Sequence, residues 1–259
     1  MNRLKVMVAG ANGRMGKEVI KMVKRDNDLL FVGGIDPLGG LQQGADETII
    51  YQRLDEALIA EKPDVIVDFT NPNVVKENVT TAIEMGVSPV VGTTGLTLED
   101  IRLLDKLAKE HGVGGVIAPN FAIGAVLMMK FSQTAAKYMA HVEIIEFHHD
   151  QKLDAPSGTA LKTAELIQQV RNQIKQGHSD EKETLIGARG GEFSGFRVHS
   201  VRLPGLVAHQ EVIFGDLGQT LTIRHDSIDR ESFMPGVNLA IKSVKDLQGI
   251  VYGLENLLD

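Results

Sequence analysis

In the first half of the chain, short apolar runs alternate with stretches whose apolar positions recur at helical spacing. The apolar runs predict five strands, over 4–9, 29–35, 65–69, 87–92 and 114–118. They are nearly continuous in apolar residues, as strands buried on both faces are. Regular alternation of such strands with helices predicts an open parallel sheet with right-handed crossovers.

The stretches between these strands predict helices. Three have the helical spacing: the stretch containing Val19, Ile20 and Val23, and those over 73–85 and 98–111. Thr97 is a predicted N-cap of the last helix, and Asp100 falls in its acidic first turn. These signals fix where that helix begins.

The pattern changes near residue 120. A helix is predicted over 123–140, a strand over 142–149 and a second helix over 158–175. Segments 195–203, 209–215 and 219–227 then alternate between apolar and polar residues at period two, which predicts antiparallel strands. The polar stretch 172–184 is interpreted as a surface loop or helix end, and 233–258 as helical. An α/β half is therefore followed by an α+β half with an antiparallel or mixed sheet.

Composition narrows the class of protein. The 259 residues are 43% apolar and 24% charged, as expected of a globular chain that can bury a substantial core. Cysteine is absent, which excludes a disulfide framework, a cysteine-ligated metal and a cysteine nucleophile. The amino-terminal apolar run is too short for a signal peptide, and no apolar stretch approaches the roughly 20 residues that span a bilayer. We therefore expect a cytoplasmic protein with no membrane partner.

The net charge of −7 disfavours nucleic acid as a partner. The same charge repels a small anion. If the ligand is anionic, its site must be locally electropositive, through histidine, lysine, arginine or helix N-termini.

A glycine-rich turn lies directly between the first strand and its helix. Gly10, Gly13 and Gly16 have the spacing G-x-x-G-x-x-G. Glycines there permit a tight turn and close approach of a pyrophosphate to the helix N-terminus. Asp36 ends the second strand, where a carboxylate would bond the adenosine ribose hydroxyls. Together these features predict a Rossmann-like nucleotide-binding domain, although an ordinary glycine turn remains the alternative.

A second glycine-containing loop follows the fourth strand. Gly92-Thr93-Thr94-Gly95 also falls at the carboxyl end of a strand, where open α/β sheets bind ligands. A tight polar loop without ligand contacts is an equally good interpretation of this spacing alone.

The second half contains a dense cluster of polar residues. His148, His149 and Lys152 precede Ser157, Gly158 and Thr159, which are predicted to open a helix. Neighbouring residues of a strand face opposite sides, so both histidines can reach one ligand only if the strand ends there. Two histidines, a lysine and the N–H groups of a helix N-terminus would form an anion site for a carboxylate substrate. Histidine and lysine are also common proton donors.

The same cluster has two other interpretations. A surface loop with a capped helix would explain the same residues without a ligand. A metal site is disfavoured, because adjacent histidines rarely bind one ion together and no further ligand has useful spacing. We therefore predict no metal.

At this point the chain resembles a known family. The resemblance rests on five segments: GANGRMG at 10–16, FTNP at 69–72, GTTG at 92–95, APNF at 118–121 and EIIEFHHDQKLDAPSGTAL at 143–161. They resemble 4-hydroxy-tetrahydrodipicolinate reductase, also called dihydrodipicolinate reductase, of bacterial and plant lysine biosynthesis. The resemblance extends over nearly the whole chain, in the same order.

The resemblance implies a role for each predicted residue. His148 and Lys152 would be the catalytic acid/base residues, and His149 with the backbone of Ser157, Gly158 and Thr159 would bind the carboxylates of a small cyclic dicarboxylate. The cofactor would be NADH or NADPH, lined by Gly10, Ala11, Asn12, Gly13, Arg14, Met15, Asp36, Gly92, Thr93, Thr94, Ala118, Pro119, Asn120 and Phe121.

The resemblance also implies the domain organisation. Residues 1–119 would bind the dinucleotide, and 230–259 would return to that domain. Residues 120–229 would bind the substrate and mediate oligomerisation, since similar proteins are usually homotetramers built through the second sheet.

One departure bears on cofactor choice. Members that favour NADPH commonly have a basic residue directly after the acid of the second strand, whereas Pro37 and Leu38 follow Asp36 here. We therefore expect NADH to be used at least as well as NADPH, although Arg14 or Lys17 could partly compensate.

Two rival functions differ in class. An aspartate-semialdehyde type of dehydrogenase needs a cysteine nucleophile, which this chain lacks. A non-catalytic dinucleotide-binding sensor would not need His148 and Lys152 beside a carboxylate site, but it remains the alternative.

Overall fold

The computed structural model describes residues 3–42 and 48–258. The chain divides into two compact units. The first unit comprises Met1–Phe121 and Arg230–Asp259, and the second comprises Ala122–Asp229.

The strands of the described residues are numbered along the chain. They are β1 (Leu4–Ala9), β2 (Leu29–Ile35), β3 (Gly40–Gln42), β4 (Thr48–Tyr51), β5 (Val65–Asp68), β6 (Ser88–Val91), β7 (Gly114–Ile117), β8 (His141–His148), β9 (Gly191–Phe193), β10 (Phe196–Arg202), β11 (Ala208–Asp216), β12 (Gln219–Ser227) and β13 (Gly249–Tyr252). The α-helices are α1 (Arg14–Arg25), α2 (Leu54–Glu61), α3 (Val75–Glu84), α4 (Leu98–His111), α5 (Ile123–Ala136), α6 (Gly158–Gln168) and α7 (Met234–Ser243).

The first unit is built on an eight-stranded sheet in the order β13-β7-β6-β5-β1-β2-β4-β3. Its neighbouring strands are parallel except for β3, which pairs antiparallel with β4. The predicted Rossmann-like sheet is thus confirmed. The strand order reverses where β1 lies between β2 and β5, and ligands of open α/β sheets bind outside the carboxyl ends of the strands at this point.

Local sequence signals fix the helix α4 of this unit. The Thr97 hydroxyl accepts from the Asp100 N–H at 3.1 Å, and the Thr97 N–H donates to the Asp100 carboxylate at 2.9 Å. This capping box satisfies two end groups of the helix reciprocally. The predicted cap and the predicted bounds of this helix are confirmed.

The second unit is a five-stranded mixed sheet in the order β12-β11-β8-β10-β9. Val142 and Ile144 of β8 point to the same face, where they form a buried core with Ile167 of α6 and with Val212 and Phe214 of β11. The antiparallel prediction is wrong for β10, which pairs parallel with β8. A long connection containing α6 joins these two strands, as parallel neighbours require.

Other predictions about elements need correction. The tail 233–258 is not helical throughout, because α7 ends at Ser243 and Gly249–Tyr252 forms β13, which pairs parallel with β7. The helix predicted over 158–175 ends at Gln168. Four short elements, β3, β4, β9 and α2, were not predicted, because segments of three to eight residues carry too little periodicity.

No helix within 3–42 and 48–258 is long and apolar enough to cross a bilayer.

Candidate active site

The predicted cofactor residues of the first unit lie at one edge of its sheet. Gly10, Asp36, Gly92 and Ala118 each directly follow the last residue of a parallel strand, namely β1, β2, β6 and β7. Because the carboxyl ends of parallel strands meet at one edge, the fold brings these four positions to the same side.

The glycine turn joins β1 tightly to α1. Gly10 has a φ of 77°, and a Cβ there would lie 2.4 Å from the Phe69 carbonyl oxygen. A Cβ at Gly16 would lie 2.1 Å from the Gly10 carbonyl oxygen. Both glycines are therefore required by the packing of the turn, and Ala11 between them is fully buried.

This turn fits a dinucleotide. Helix α1 begins at Arg14 after Gly13, with no side-chain cap on its first N–H groups and no acidic residue in its first turn. Such an end favours an anion like a pyrophosphate. Beside it, the Asp36 carboxylate accepts from the Asn12 N–H at 3.2 Å and from the Leu38 N–H at 3.1 Å. One N–H of the turn and one of the loop after β2 thus hold the Asp36 carboxylate beside the turn.

Asp68 is a structural residue of this edge that the sequence analysis missed. Its side chain is 1% exposed and accepts from the Thr70 N–H at 3.0 Å, the Thr70 hydroxyl at 2.7 Å, the Asn78 amide at 2.8 Å and the Thr93 hydroxyl at 2.6 Å. A carboxylate that ends a buried strand, as in VIVD at 65–68, was the available signal.

The Gly92–Gly95 loop is held by Asp68 and by an aromatic ring. A Cβ at Gly92 would lie 2.1 Å from the Phe69 ring, so that only glycine fits there. Thr93 accepts from the Thr70 N–H at 2.8 Å, while Thr94 is exposed. The polar loop therefore has a fixed conformation before any ligand binds.

The APNF segment is divided between the core and the surface. Ala118 and Phe121 are buried, and the rings of Phe121 and Phe69 lie 6.1 Å apart. Pro119 is exposed and Asn120 is half-buried. Met15 of the glycine turn is half-buried as well.

In the second unit, the predicted polar cluster lies where β8 ends. The strand stops at His148, and the chain turns, with the Lys152 N–H donating to the His149 carbonyl at 3.2 Å. The strand therefore ends at the histidine pair, which is the condition for both histidines to reach one ligand. Helix α6 then begins at Gly158, with the Ser157 hydroxyl accepting from the Ala160 N–H at 3.2 Å.

A buried carboxylate organises this end of the strand. Glu146 is 0% exposed, and Arg202 donates to both of its oxygens, at 2.8 and 2.7 Å. The Nδ1 atom of His148 lies 2.5 Å from Glu146 Oε2, and the Ser157 N–H donates to Oε1 at 3.2 Å. One carboxylate thus joins β8, β10 and the start of α6.

The pKa of Glu146 follows from these contacts. Burial raises its pKa, but hydrogen bonds from His148, Arg202 and Ser200 outweigh burial and lower the pKa to about 2. Glu146 is therefore ionised at neutral pH.

Lys152 belongs to the same network through Asp154. Its ammonium donates to the Asp154 carboxylate at 2.7 Å, and this hydrogen bond lowers the pKa of Asp154. Arg202 in turn donates to the Asp154 carbonyl at 2.7 Å. The chain of contacts fixes the loop that carries Lys152.

Ser157 and Gly158 differ in how they are placed. All three polar groups of Ser157 are used inside the protein: its N–H donates to Glu146, its hydroxyl accepts from the Ala160 N–H, and its carbonyl accepts from the next turn of α6. A Cβ at Gly158 would have no heavy atom within 4 Å, so packing does not require this glycine. Thr159 is half-buried beside it, and His149 is exposed.

Glu146 and Arg202 were not singled out from the sequence. Glu146 had a signal: it falls on the apolar face of β8, two positions after Ile144 and four after Val142. No local sequence signal marked Arg202, because only the pairing of β10 with β8 brings it to Glu146.

In 3–42 and 48–258, no three His, Cys, Asp or Glu side chains are grouped so that they could hold an ion.

The two halves of the chain each match a known protein family. Residues 4–121 match the family described as dihydrodipicolinate reductase, N-terminus, and residues 124–258 match dihydrodipicolinate reductase, C-terminus. The chain belongs to the dihydrodipicolinate reductase family. This family with its Rossmann-like nucleotide-binding unit implies use of NAD(P)H.

Individual relatives of this reductase family match over the full chain. The 4-hydroxy-tetrahydrodipicolinate reductase of Halalkalibacterium halodurans is 56% identical, covering 99% of this chain and 100% of the relative. That of Bacillus subtilis is 53% identical, covering 99% and 98%. The solved dipicolinate-bound dihydrodipicolinate reductase of Paenisporosarcina sp. TG-14 has a TM-score of 0.92 at 46% identity, covering 99% and 100%.

The buried carboxylate at the nucleotide edge of this family member generates a stability prediction. Asp68→Ala leaves four hydrogen-bond donors without their shared acceptor, so we expect the free energy of unfolding to fall by about 3 kcal/mol. Urea denaturation measures it. The control is Asp55→Ala, whose exposed carboxylate pairs with exposed Arg53 and should leave stability nearly unchanged. Equal losses in both variants would contradict the structural role of Asp68.

Proposed function

We propose that this chain is a 4-hydroxy-tetrahydrodipicolinate reductase, which reduces its cyclic dicarboxylate substrate to tetrahydrodipicolinate with NAD(P)H in diaminopimelate and lysine biosynthesis. The observation that carries the proposal is that His148, His149 and Lys152 lie where β8 ends and the chain turns, joined to the start of α6 through one buried carboxylate. A non-catalytic dinucleotide-binding sensor has no support among the relatives, which carry the name of an enzyme.

A dicarboxylate suits the second unit. His149 is exposed beside the turn, and Gly158 opens α6 toward free space. We assign the two as carboxylate contacts, together with the backbone of Thr159, while Ser157 supports them as the helix cap. The solved Paenisporosarcina reductase is bound to dipicolinate, a dicarboxylate, which favours the same class of ligand here.

His148 and Lys152 are the proposed proton donors. Each is partly buried and bonded to a carboxylate, His148 to Glu146 and Lys152 to Asp154. Reduction of the dehydrated substrate needs one proton besides the hydride, and a positioned side chain can deliver it. We therefore assign binding of the substrate carboxylates to His149 and the N-terminus of α6. Delivery of the proton is assigned to His148 and Lys152.

The proposed cofactor site is the sheet edge of the first unit. Bound there, the reduced nicotinamide supplies the hydride, while the protein supplies orientation and charge complementarity. The backbone from Gly10 to Met15 would face the pyrophosphate, and Asp36 the adenosine ribose. The Gly92–Thr94 loop and the exposed part of Ala118–Phe121 complete the proposed lining.

Assembly and location are also proposals. The outer face of the second sheet bears Ile145, Phe147 and Ile213, none of them fully buried within one chain. A second copy covering this face would bury them, which supports a homo-oligomer. An enzyme of amino-acid biosynthesis drawing on the NAD(P)H pool is expected in the cytoplasm.

The proposed activity is tested by coupling the chain to the synthase that produces the unstable substrate. NADH consumption at 340 nm should begin only when synthase, its substrates and this chain are all present. Absence of consumption with both NADH and NADPH would refute the proposal.

The site residues are tested in the same assay. Lys152→Ala and His148→Ala should each lower kcat by about 10²-fold, the usual contribution of an acid–base group. The matched variant His149→Ala should mainly raise KM, because its proposed role is to bind a carboxylate. Near-normal kcat in both of the first two variants would contradict the assignment.

Gly158 tests where the substrate binds. Because a side chain there meets no protein atom, Gly158→Val should fold with an unchanged Tm yet weaken dipicolinate binding by at least about tenfold, through contact with the ligand. Gly215→Val is the matched control, since a Cβ at Gly215 also has no neighbour within 4 Å. Calorimetric titration gives both affinities. Unchanged affinity in Gly158→Val would place the dicarboxylate elsewhere.

Cofactor preference depends on Asp36. A 2′-phosphate would bring like charge against this carboxylate, costing roughly 4 kcal/mol at about 4 Å and an effective dielectric near 20, before salt screening reduces it. Pro37 and Leu38 offer no cation, although exposed Arg14 and Lys17 lie on the neighbouring helix. We therefore propose that NADH is used at least as well as NADPH.

The measurement is kcat/KM for both cofactors. We expect a ratio near one or in favour of NADH, and Pro37→Arg should raise kcat/KM for NADPH, because an arginine can pair with the phosphate. A preference of the unmodified chain for NADPH above about tenfold, or about 1.4 kcal/mol, would show that this interpretation of Asp36 is wrong.

A further inference from the structure

Glu146 has no access to solvent, yet it contacts a proposed acid–base residue. The carboxylate is 0% exposed, and the His148 Nδ1 atom lies 2.5 Å from its Oε2 atom. A group so placed cannot touch a ligand at the surface of the second unit. Any effect of Glu146 on the reaction must therefore pass through its neighbours.

The ionised state of Glu146 fixes the proton on His148. An ionised carboxylate only accepts hydrogen bonds, so His148 Nδ1 must carry the hydrogen that the contact requires. In the neutral ring, Nε2 then holds the lone pair and is the nitrogen that can exchange a proton with a ligand. Arg202 compensates the buried charge by donating to both oxygens of Glu146.

The same carboxylate also places the start of α6. The Ser157 N–H donates to Glu146 Oε1 at 3.2 Å, one residue before Gly158 begins the helix. The position of the helix N-terminus relative to His148 is thereby set through a single side chain.

We infer that Glu146 is a positioning residue for the reduction, which holds His148 as the Nδ1–H tautomer and aligns it with the N-terminus of α6. This inference rests on the proposed function. The tautomer of His148 can be measured whether or not the chain reduces the proposed substrate.

The tautomer is read from ¹⁵N shifts of the histidine ring nitrogens, at a pH where the ring is neutral, with the His148 signals assigned by their loss in His148→Asn. In the unmodified chain, the hydrogen should be on Nδ1. In Glu146→Gln, whose amide can donate as well as accept, the Nε2–H form should be populated. An Nε2–H form in the unmodified chain would overturn the inference, whether or not the chain reduces the proposed substrate.

Kinetics separate positioning from stability. Glu146→Gln should lower kcat by on the order of 10²-fold, while KM changes less than about threefold. Glu143→Gln is the matched control, because Glu143 also bonds an arginine and a histidine, Arg189 and His199, and lies on the opposite face of β8. It should leave kcat unchanged.

A double variant decides between the two roles. If Glu146 acts through His148, adding Glu146→Gln to His148→Asn should lower kcat by less than about twofold further, because linked residues are not additive. Should the two losses multiply, Glu146 acts independently of His148 and the inference fails. If Glu146→Gln does not fold, Glu146→Asp in the same cycle retains the charge and answers the same question. A chain that shows the predicted tautomer but reduces no substrate would refute the proposed function alone.

Discussion

The second unit depends on one buried ion pair, between Glu146 of β8 and Arg202 of β10. A carboxylate with no solvent access is costly unless it is paired and fully hydrogen-bonded, and removing one partner leaves an uncompensated charge. The pair forms because β10 lies parallel to β8, with Arg202 opposite His148. Ser157 and Asp154 are attached to the same two side chains, so the strand end, the Lys152 loop and the start of α6 have one common anchor.

The first unit uses buried carboxylates in a related way. Asp68 ends β5 and accepts hydrogen bonds from hydroxyl and N–H groups of two neighbouring loops. Asp36 follows β2 and accepts from one backbone N–H of the glycine turn, that of Asn12, and from one in its own loop, that of Leu38. In each case a carboxylate at a strand end holds loop backbone in place before a ligand arrives. Groups that are held in advance lose less conformational entropy on binding, which is the general benefit of preorganisation. Of these two carboxylates, only that of Asp36 is proposed to contact the cofactor itself.

Features that depend on residues close together in the sequence could be predicted, whereas features that depend on contacts between distant residues could not. The N-cap at Thr97, the glycine turn at Gly10 and the end of β8, predicted within one residue of His148, depend on residues close together in the chain, and each was predicted. The partner of Glu146 was not, because Arg202 is 56 positions away and only strand pairing brings it near. β13 was likewise predicted as helix, since its pairing with β7 across more than 100 residues overrides local preference.

We propose that Glu146 organises a dicarboxylate site in the second unit without touching the ligand. The most direct test is a crystal structure of this chain with dipicolinate bound. We predict that the carboxylates of dipicolinate contact His149 and the backbone at Gly158 and Thr159, with His148 Nε2 facing the ligand and Nδ1 still bonded to Glu146. A ligand carboxylate bound away from α6, or a His148 ring turned away from Glu146, would contradict the account.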